Sequence, residues 1–167
     1  VTTGDKQVRS YDLETGRLVW ESDGLNMNPI PSPVAEDGLV FVTAGFRSSR
    51  LHAIRLADAQ GKIAGSSAIV WSLDRDTPYV SSPLLYDGVL YFLKSNAGIL
   101  SAFDARSGRP HYQAQRLTGL PEVYSSPVGT QGRVYITIRD GTTLVIRHGS
   151  RFEVLATESG RPPGSYG

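Results

Sequence analysis

The stretch Asp12-Leu13-Glu14-Thr15-Gly16-Arg17-Leu18-Val19-Trp20 decides the fold, because its pattern D-x-x-T-G-x-x-x-W returns later in the chain. The second copy, Asp104 to Tyr112, reads D-x-x-S-G-x-x-x-Y. Each copy joins two apolar runs through a polar turn that contains a glycine, which is typical of a β-hairpin. The glycine can adopt the positive φ that closes the turn, and the aspartate can bond the turn backbone. We therefore predict a repeated hairpin.

Each hairpin ends in a large aromatic ring, which can bury against the next unit. We predict that these rings are anchors, largely buried between neighbouring units. Two further units keep an aromatic but lose the turn motif, at Trp71 and Phe152. The predicted structural residues of the repeat are Asp12, Gly16, Trp20, Trp71, Asp104, Gly108, Tyr112 and Phe152.

A second motif precedes the hairpins: Ser-Pro, then a turn glycine, then an alternating apolar run. Its three copies contain Pro33, Pro83 and Pro127. Copies spaced roughly 40–50 residues apart, with the same internal order, indicate one propeller blade of four strands per unit. We call these strands A, B, C and D in chain order. The predicted fold is all-β: a β-propeller of four-stranded antiparallel blades, with about three and a half blades present as a partial ring.

The repeat also predicts the organisation of the chain. A partial blade covers residues 1–22, three blades cover about 32–73, 81–115 and 125–157, and a Gly- and Pro-rich tail follows at 158–167. We predict that the first blade has only strands C and D, because residues 1–4 match the end of a strand B. The second blade has a long C–D connection, Ala57 to Ala68. The alternative is a small four-bladed ring with an incomplete first blade.

Composition argues against several classes of function. The net charge of +1 gives no electrostatic basis for binding nucleic acid or an anionic membrane. The chain has no cysteine, so it has no disulfide, thiolate zinc site or cysteine nucleophile. No apolar run approaches the ~20 residues of a membrane-spanning helix. His52, His111 and His148 lack metal-ligand spacing, and we expect structural or solvated roles for them.

The two motifs resemble the tryptophan-docking repeat of the pyrroloquinoline-quinone (PQQ)-like propellers, over about residues 1–157. Ala102 supplies the leading alanine of that repeat, and Ser10 replaces it in the first copy. The family includes quinoprotein dehydrogenases and the propeller lipoprotein of the outer-membrane β-barrel assembly machinery. The resemblance implies a bacterial protein in the periplasm or another extracytoplasmic place. The dehydrogenases bind the quinone with calcium and carry adjacent cysteines, which this chain lacks. Asn96 and Asp140 are thin evidence for calcium ligands, so we expect neither cofactor.

In such a blade the B–C and D–A loops lie on one face. Here these loops are long and polar, which is typical of binding loops on a rigid scaffold; the alternative is a solvated rim. The candidate binding residues are Arg47, Arg50, Tyr79, Lys94, Asn96, Arg116, Tyr124, Arg139 and Asp140.

The expected function is a non-enzymatic scaffold or protein-binding module that is part of a larger propeller. We expect no catalytic residues and no dehydrogenase activity. The partners would be another protein or the missing blades of the same parent, with self-association through exposed strand edges. The alternative is a fragment of a PQQ-dependent quinoprotein dehydrogenase, or a propeller sensor domain, whose active residues lie outside this stretch.

Overall fold

The computed structural model describes residues 1–25, 27–47 and 49–160 and confirms the all-β fold. Strands in these residues form four sheets of four strands each, and a single helical turn lies at Leu56–Asp58. Buried clusters join blades 1 and 2, 2 and 3, and 3 and 4, and no such cluster in the described residues joins blade 4 to blade 1. The sheets therefore form the predicted partial ring.

The strand bounds define the four blades. Blade 1 contains β1 (Thr2–Gly4), β2 (Gln7–Tyr11), β3 (Leu18–Asp23) and β7 (Gly61–Lys62). Blade 2 contains β4 (Val34–Glu36), β5 (Leu39–Ala44), β6 (Arg50–Arg55) and β8 (Ile69–Leu73). Blade 3 contains β9 (Leu84–Tyr86), β10 (Val89–Leu93), β11 (Ile99–Asp104) and β12 (Pro110–Arg116). Blade 4 contains β13 (Val128–Thr130), β14 (Arg133–Thr137), β15 (Thr143–Arg147) and β16 (Val154–Glu158).

The middle strands of the inner blades are buried on both faces, which explains their continuous apolar runs. All six residues of β5 are buried. Val40 and Val42 pack in one cluster with Trp20 of blade 1. Leu39 and Phe41 point the other way and pack with residues of blade 3. Alternation along the strand therefore gives each blade two packing surfaces, one for each neighbour.

The short A strands lie side by side along the inner edge of the arc, since β4 contacts β9 and β9 contacts β13. The serine of each Ser-Pro motif links these blades. The Ser32 backbone N–H donates to Ser82 Oγ at 2.9 Å, and the Ser82 N–H donates to Ser126 Oγ at 2.9 Å. The repeated serines are thus part of the scaffold.

The two copies of the opening motif form the same tight turn. Thr15 donates its backbone N–H and its hydroxyl to Asp12 Oδ1, at 2.8 and 2.6 Å. Ser107 makes the same two bonds to Asp104 Oδ1, at 2.7 and 2.6 Å. These bonds, the hydroxyl bond first, lower the pKa of both carboxyls. The glycine that follows has φ near +70° in each copy.

The turn of blade 3 receives the anchor of blade 2. Trp71 Nε1 donates to the Ala105 carbonyl oxygen at 2.9 Å, and the indole stacks on Phe103 with ring centroids 6.3 Å apart. A Cβ atom placed on Gly108 would lie 2.6 Å from Trp71 Cδ2. Gly108 therefore serves both the turn conformation and the seat of the indole.

Blade 1 contains two strands beyond the predicted strands C and D. The chain contributes the end of strand B as well as strands C and D, because β1 pairs with β2. The long C–D connection of blade 2 also reaches back and adds β7 to blade 1, parallel to β3. Trp20 pairs with Gly61 there, and Ala59, Ile63 and Ala68 are buried in the cluster that contains Trp20. Blade 2 lacks the Asp-x-x-Thr-Gly turn, and residues 57–68 take its place as the segment against which Trp20 packs.

The anchor position of blade 4 also differs from the prediction. In blades 2 and 3 the anchor on strand D, Trp71 or Tyr112, pairs with an alanine of strand C, Ala53 or Ala102. The equivalent strand C residue of blade 4 is Val145, and it pairs with Ala156. Phe152 precedes β16 and contacts the Tyr112 ring edge-on at 5.7 Å. Burial of the four predicted anchors also differs, since Trp20 is 2% exposed while the other three are only partly buried.

Candidate functional site

The B–C and D–A loops hydrogen-bond to one another on one face of the arc, which we call the loop face. Thr77 lies in the D–A loop after blade 2 and is buried. Its hydroxyl donates to the Ala44 carbonyl oxygen at 2.8 Å and accepts the Arg50 N–H at 3.1 Å. Its own carbonyl oxygen accepts the Ser95 N–H of blade 3 at 3.0 Å. One D–A loop therefore connects the B–C loops of two blades.

The next D–A loop also bonds to a B–C loop, that of blade 3. The Val123 N–H donates to the Asn96 carbonyl oxygen at 2.8 Å, and the Gly98 N–H donates to the Pro121 carbonyl oxygen at 3.2 Å. A Cβ atom on Gly98 would collide with the Leu120 carbonyl oxygen. Because the loops pack backbone to backbone, their side chains are held on a rigid support.

The predicted binding residues fall into separate local groups on this support. Tyr79 stacks on Phe46 with ring centroids 5.1 Å apart, and the Arg47 guanidinium lies 5.2 Å from the Phe46 centroid. The Arg139 guanidinium lies 4.7 Å from the Tyr124 centroid. Contacts at these distances are cation–π interactions. No hydrogen bond, ion pair or ring contact in the described part of the chain joins the two groups.

The remaining candidates differ in their surroundings. Lys94 Nζ pairs with Asp76 Oδ1 at 2.9 Å. Arg50 Nε and Asn96 Oδ1 are buried and have no hydrogen-bond partner among the described residues. Arg116 lies exposed at the end of β12, and Asp140 Oδ1 accepts the Thr142 N–H at 2.8 Å. These residues line one face, but the structure does not gather all nine into a single site.

A groove of about 660 Å³ opens on the loop face between blades 1 and 2. Its apolar surface comes from Leu25, Met27 and Phe46, and Met27 is 46% exposed. Charges of both signs surround these side chains. The full lining is Asp5, Lys6, Gln7, Asp23, Gly24, Leu25, Met27, Phe46 and Arg47.

Of the groove residues, only Arg47 is among the binding residues that the sequence predicts. The β1–β2 turn at Asp5 and Lys6 follows the strand B end that residues 1–4 predict, but its residues were not among the predicted binding residues. Met27 is the only methionine of the chain and Phe46 sits next to Arg47, and these were the signals available in the sequence. Neither feature could show that two B–C loops and a D–A loop meet here.

His52 is buried close to this groove. It is 8% exposed, and neither ring nitrogen has a hydrogen bond of good geometry among the described residues. A Cβ atom on Gly24, which lines the groove, would lie 3.4 Å from His52 Nε2. Burial, and next the positive charge of Arg50, lower the pKa of His52 to about 4. The imidazole is therefore neutral at pH 7.

The residues present do not fit the calcium-bound quinone of the dehydrogenases. No group of three or more His, Asp or Glu side chains in the described residues could hold a metal ion. Asn96 and Asp140, the two candidate ligands, lie in the B–C loops of different blades. Calcium takes six or more oxygen ligands, which these two side chains cannot supply. No helix in the described residues is long and apolar enough to cross a bilayer.

Solved structures with this fold include several propellers. The BamB structure from Moraxella catarrhalis matches with a TM-score of 0.59 and 20% identity, over 93% of this chain and 47% of that chain. The computationally designed Ika4 protein matches with a TM-score of 0.61 and 14% identity, over 87% and 81%. A europium-containing methanol dehydrogenase matches with a TM-score of 0.60 and 11% identity, over 93% and 27%. At these identities the matches show the fold. No curated protein sequence matches the chain.

Repeated four-stranded blades, the Asp-centred turns and the docked tryptophan define a β-propeller of PQQ-like repeats. Residues 4–161 match the family described as outer membrane protein assembly factor BamB. The chain belongs to this family. It spans about half the length of the BamB chain that it matches, 47%.

Proposed function

We propose that this chain is a non-enzymatic, protein-binding segment of a larger BamB-like propeller that acts in the periplasm in the assembly of outer-membrane proteins. Membership of the BamB family supports this assignment. The observation that carries it is the groove between blades 1 and 2, where exposed Met27 lies among charged side chains. The partner would be another protein or further blades of the same parent.

The chemistry of the groove fits a protein segment. Aromatic residues, methionine and arginine are enriched at protein interfaces, and a polar rim commonly surrounds an apolar centre. Here Phe46 and Met27 provide the apolar centre, while Asp23 and Arg47 provide charges of both signs. A partner segment with an apolar side chain between charged residues would contact the apolar centre and form ion pairs with Asp23 and Arg47. The rigid hydrogen bonding of the loop face would lower the entropic cost of binding it.

Site-specific photo-crosslinking tests this function. A photoreactive amino acid replaces Met27 in the groove or, as the control, Leu56, which is 40% exposed on the helical turn. Each protein is then mixed with the solubilised outer-membrane assembly machinery. We expect a discrete crosslink to one of its components from position 27 and none from position 56, and we expect Arg47→Glu to weaken it.

Two results would contradict the proposal. Equal crosslinking from both positions would show that the groove is not a specific site. Stoichiometric binding of the quinone with calcium by the purified chain, measured by equilibrium dialysis, would instead support the dehydrogenase or sensor alternative.

A further inference from the structure

Two basic side chains of β6, Arg50 and His52, face the interface between blades 1 and 2. They are two residues apart on the strand, so they lie on the same face of the sheet. Their partners on β5 are Ala44 and Val42, which pack in the buried cluster that contains Leu25 of blade 1. Since Leu25 also lines the groove on the loop face, this basic pair lies beside the floor of the groove.

Both side chains carry buried nitrogen atoms that meet no partner. Arg50 Nε and the two ring nitrogens of His52 lack a hydrogen bond of good geometry among the described residues. The imidazole is 8% exposed and lies under Gly24, a residue of the groove wall, where an added Cβ atom would be 3.4 Å from Nε2. An unpaired buried donor costs free energy, and a charged one costs more. A ligand in the groove that supplies an acceptor would therefore be favoured here.

Among the described residues, no carboxylate forms an ion pair with Arg50 or His52. The strand neighbours of His52, Val42 and Ser72, are uncharged, and Arg50 is the charged side chain that acts on its pKa. The charged residues on the blade 1 wall of the groove are Asp5, Lys6 and Asp23. Because Arg47 stands above the basic pair on the blade 2 wall, that wall carries positive charge without a counterion.

We propose that Arg50 and His52 form a carboxylate-binding site, and that its occupant is an acidic side chain of the protein segment held in the groove. The inference rests on the proposed function, since it specifies the chemistry of that segment. A carboxylate can accept the Arg50 Nε–H together with a terminal N–H of the same guanidinium, the paired geometry that arginine favours. It can also accept a ring N–H of His52. These bonds would anchor the segment on the blade 2 wall.

The site does not depend on how many blades the parent protein has. Further blades of a larger propeller would pack on the outward sides of blades 1 and 4. Arg50 and His52 lie between blades 1 and 2, whose contact is complete in the described residues, and the groove above them opens on the loop face. Additional blades would therefore leave the site unchanged.

A peptide titration of the purified chain, followed by NMR, tests the site. The probe is acetyl-Lys-Leu-Glu-amide, and the matched control is acetyl-Lys-Leu-Gln-amide, which keeps the shape without the carboxylate. We expect the probe to shift the signals of the Arg50 Nε–H and the His52 ring, and the control to leave them unchanged. The probe should also raise the pKa of His52 by at least about one unit, because a neighbouring carboxylate favours the imidazolium.

Two variants of β6 sharpen the titration. Arg50→Gln removes the guanidinium and should weaken binding of the probe at least about tenfold. Arg55→Gln is the control on the same strand, since Arg55 pairs with Asp58 at the surface, and it should bind the probe as the wild-type protein does. Equal binding of probe and control peptide, or equal binding of the probe by the wild type and Arg50→Gln, would overturn the proposal. The wild-type signals decide the question even if Arg50→Gln does not fold.

The carboxylate site and the proposed function can fail separately. A crosslink from position 27 to the assembly machinery that Arg50→Gln leaves unchanged would contradict the site and leave the function standing. A titration that requires the carboxylate, without any crosslink to the machinery, would support the site and contradict the function.

Discussion

A tryptophan anchors each of the first two interfaces, between blades 1 and 2 and between blades 2 and 3. The two indoles pack against different kinds of segment. Trp71 docks on a short turn, where its indole N–H bonds to Ala105 and its ring covers Gly108. Trp20 docks against residues 57–68, which bury Ile63 and pair as β7 with β3. The first seat leaves the tryptophan partly exposed, and the second leaves it 2% exposed. The insertion therefore buries its tryptophan more completely than the turn motif does.

The largest expected effect on stability comes from truncating Trp20, the more deeply buried of the two tryptophans. Trp20→Ala should lower the free energy of unfolding by about 3–5 kcal/mol, because the insertion cannot collapse into the cavity while β7 stays paired. Trp71→Ala should cost less, about 2–3 kcal/mol, since part of its ring is already in water. Urea unfolding followed by circular dichroism measures both. Equal losses, or a Trp20→Ala loss below about 1 kcal/mol, would remove the distinction between the two seats.

The two interfaces should also respond differently to pH. Folding holds the pKa of His52 near 4, against 6.5 in the unfolded chain. The unfolded state therefore binds an extra proton between these values, and stability falls as the pH drops from about 6.5 to about 4, by up to about 3 kcal/mol. Ser101 occupies the same register position in blade 3, where its hydroxyl accepts the Ala114 N–H at 3.0 Å.

The variant His52→Ser provides the matched control for this pH dependence. Unfolding free energies at pH 7 and pH 4.5 should differ less in the variant than in the wild-type protein, whatever the cost of the smaller side chain at either pH. An unchanged pH profile would show that His52 is not the group that titrates.

Two glycines in identical turns give a smaller and more specific comparison. Alanine at Gly16 or Gly108 pays for a positive φ, which costs about 1 kcal/mol. At Gly108 the new methyl group also meets the Trp71 ring, while at Gly16 it meets nothing. We expect Gly108→Ala to lose about 2 kcal/mol more than Gly16→Ala. Thermal unfolding of the two variants measures this difference, and equal melting temperatures would contradict the docking of Trp71 on this turn.

Local patterns in the sequence predicted the fold, and contacts between distant segments accounted for what it missed. The turn at Asp104, the Ser-Pro strands and the buried Trp20 all follow from short motifs with their own chemistry. The pairing of β7 with β3 depends on a connection whose residues, such as Gly61 and Lys62, carry no strand signal. The aromatic ring of Phe152 predicts an anchor, but Phe152 lies in the turn before β16, and the pairing of Val145 with Ala156 puts an alanine at the anchor position.

The candidate site was predictable only in its location. The loop face follows from the strand order of a blade, which the repeat defines. The groove on that face depends on how the loops of blades 1 and 2 fold over each other. Leu25 is buried there, and Met27, only two residues later, is exposed. Such tertiary contacts leave no pattern in a single sequence.

Native-state hydrogen exchange at Ile63 tests the central claim, that the connection 57–68 adds the strand β7 to the blade 1 sheet. The Ile63 N–H donates to the Glu21 carbonyl oxygen at 2.9 Å, and its side chain is 1% exposed. We predict that this amide is protected as strongly as the amides of β2 and β3, and that Trp20→Ala lowers its protection with theirs. An Ile63 amide that exchanges at the rate of an unstructured loop, while β2 and β3 stay protected, would contradict the account.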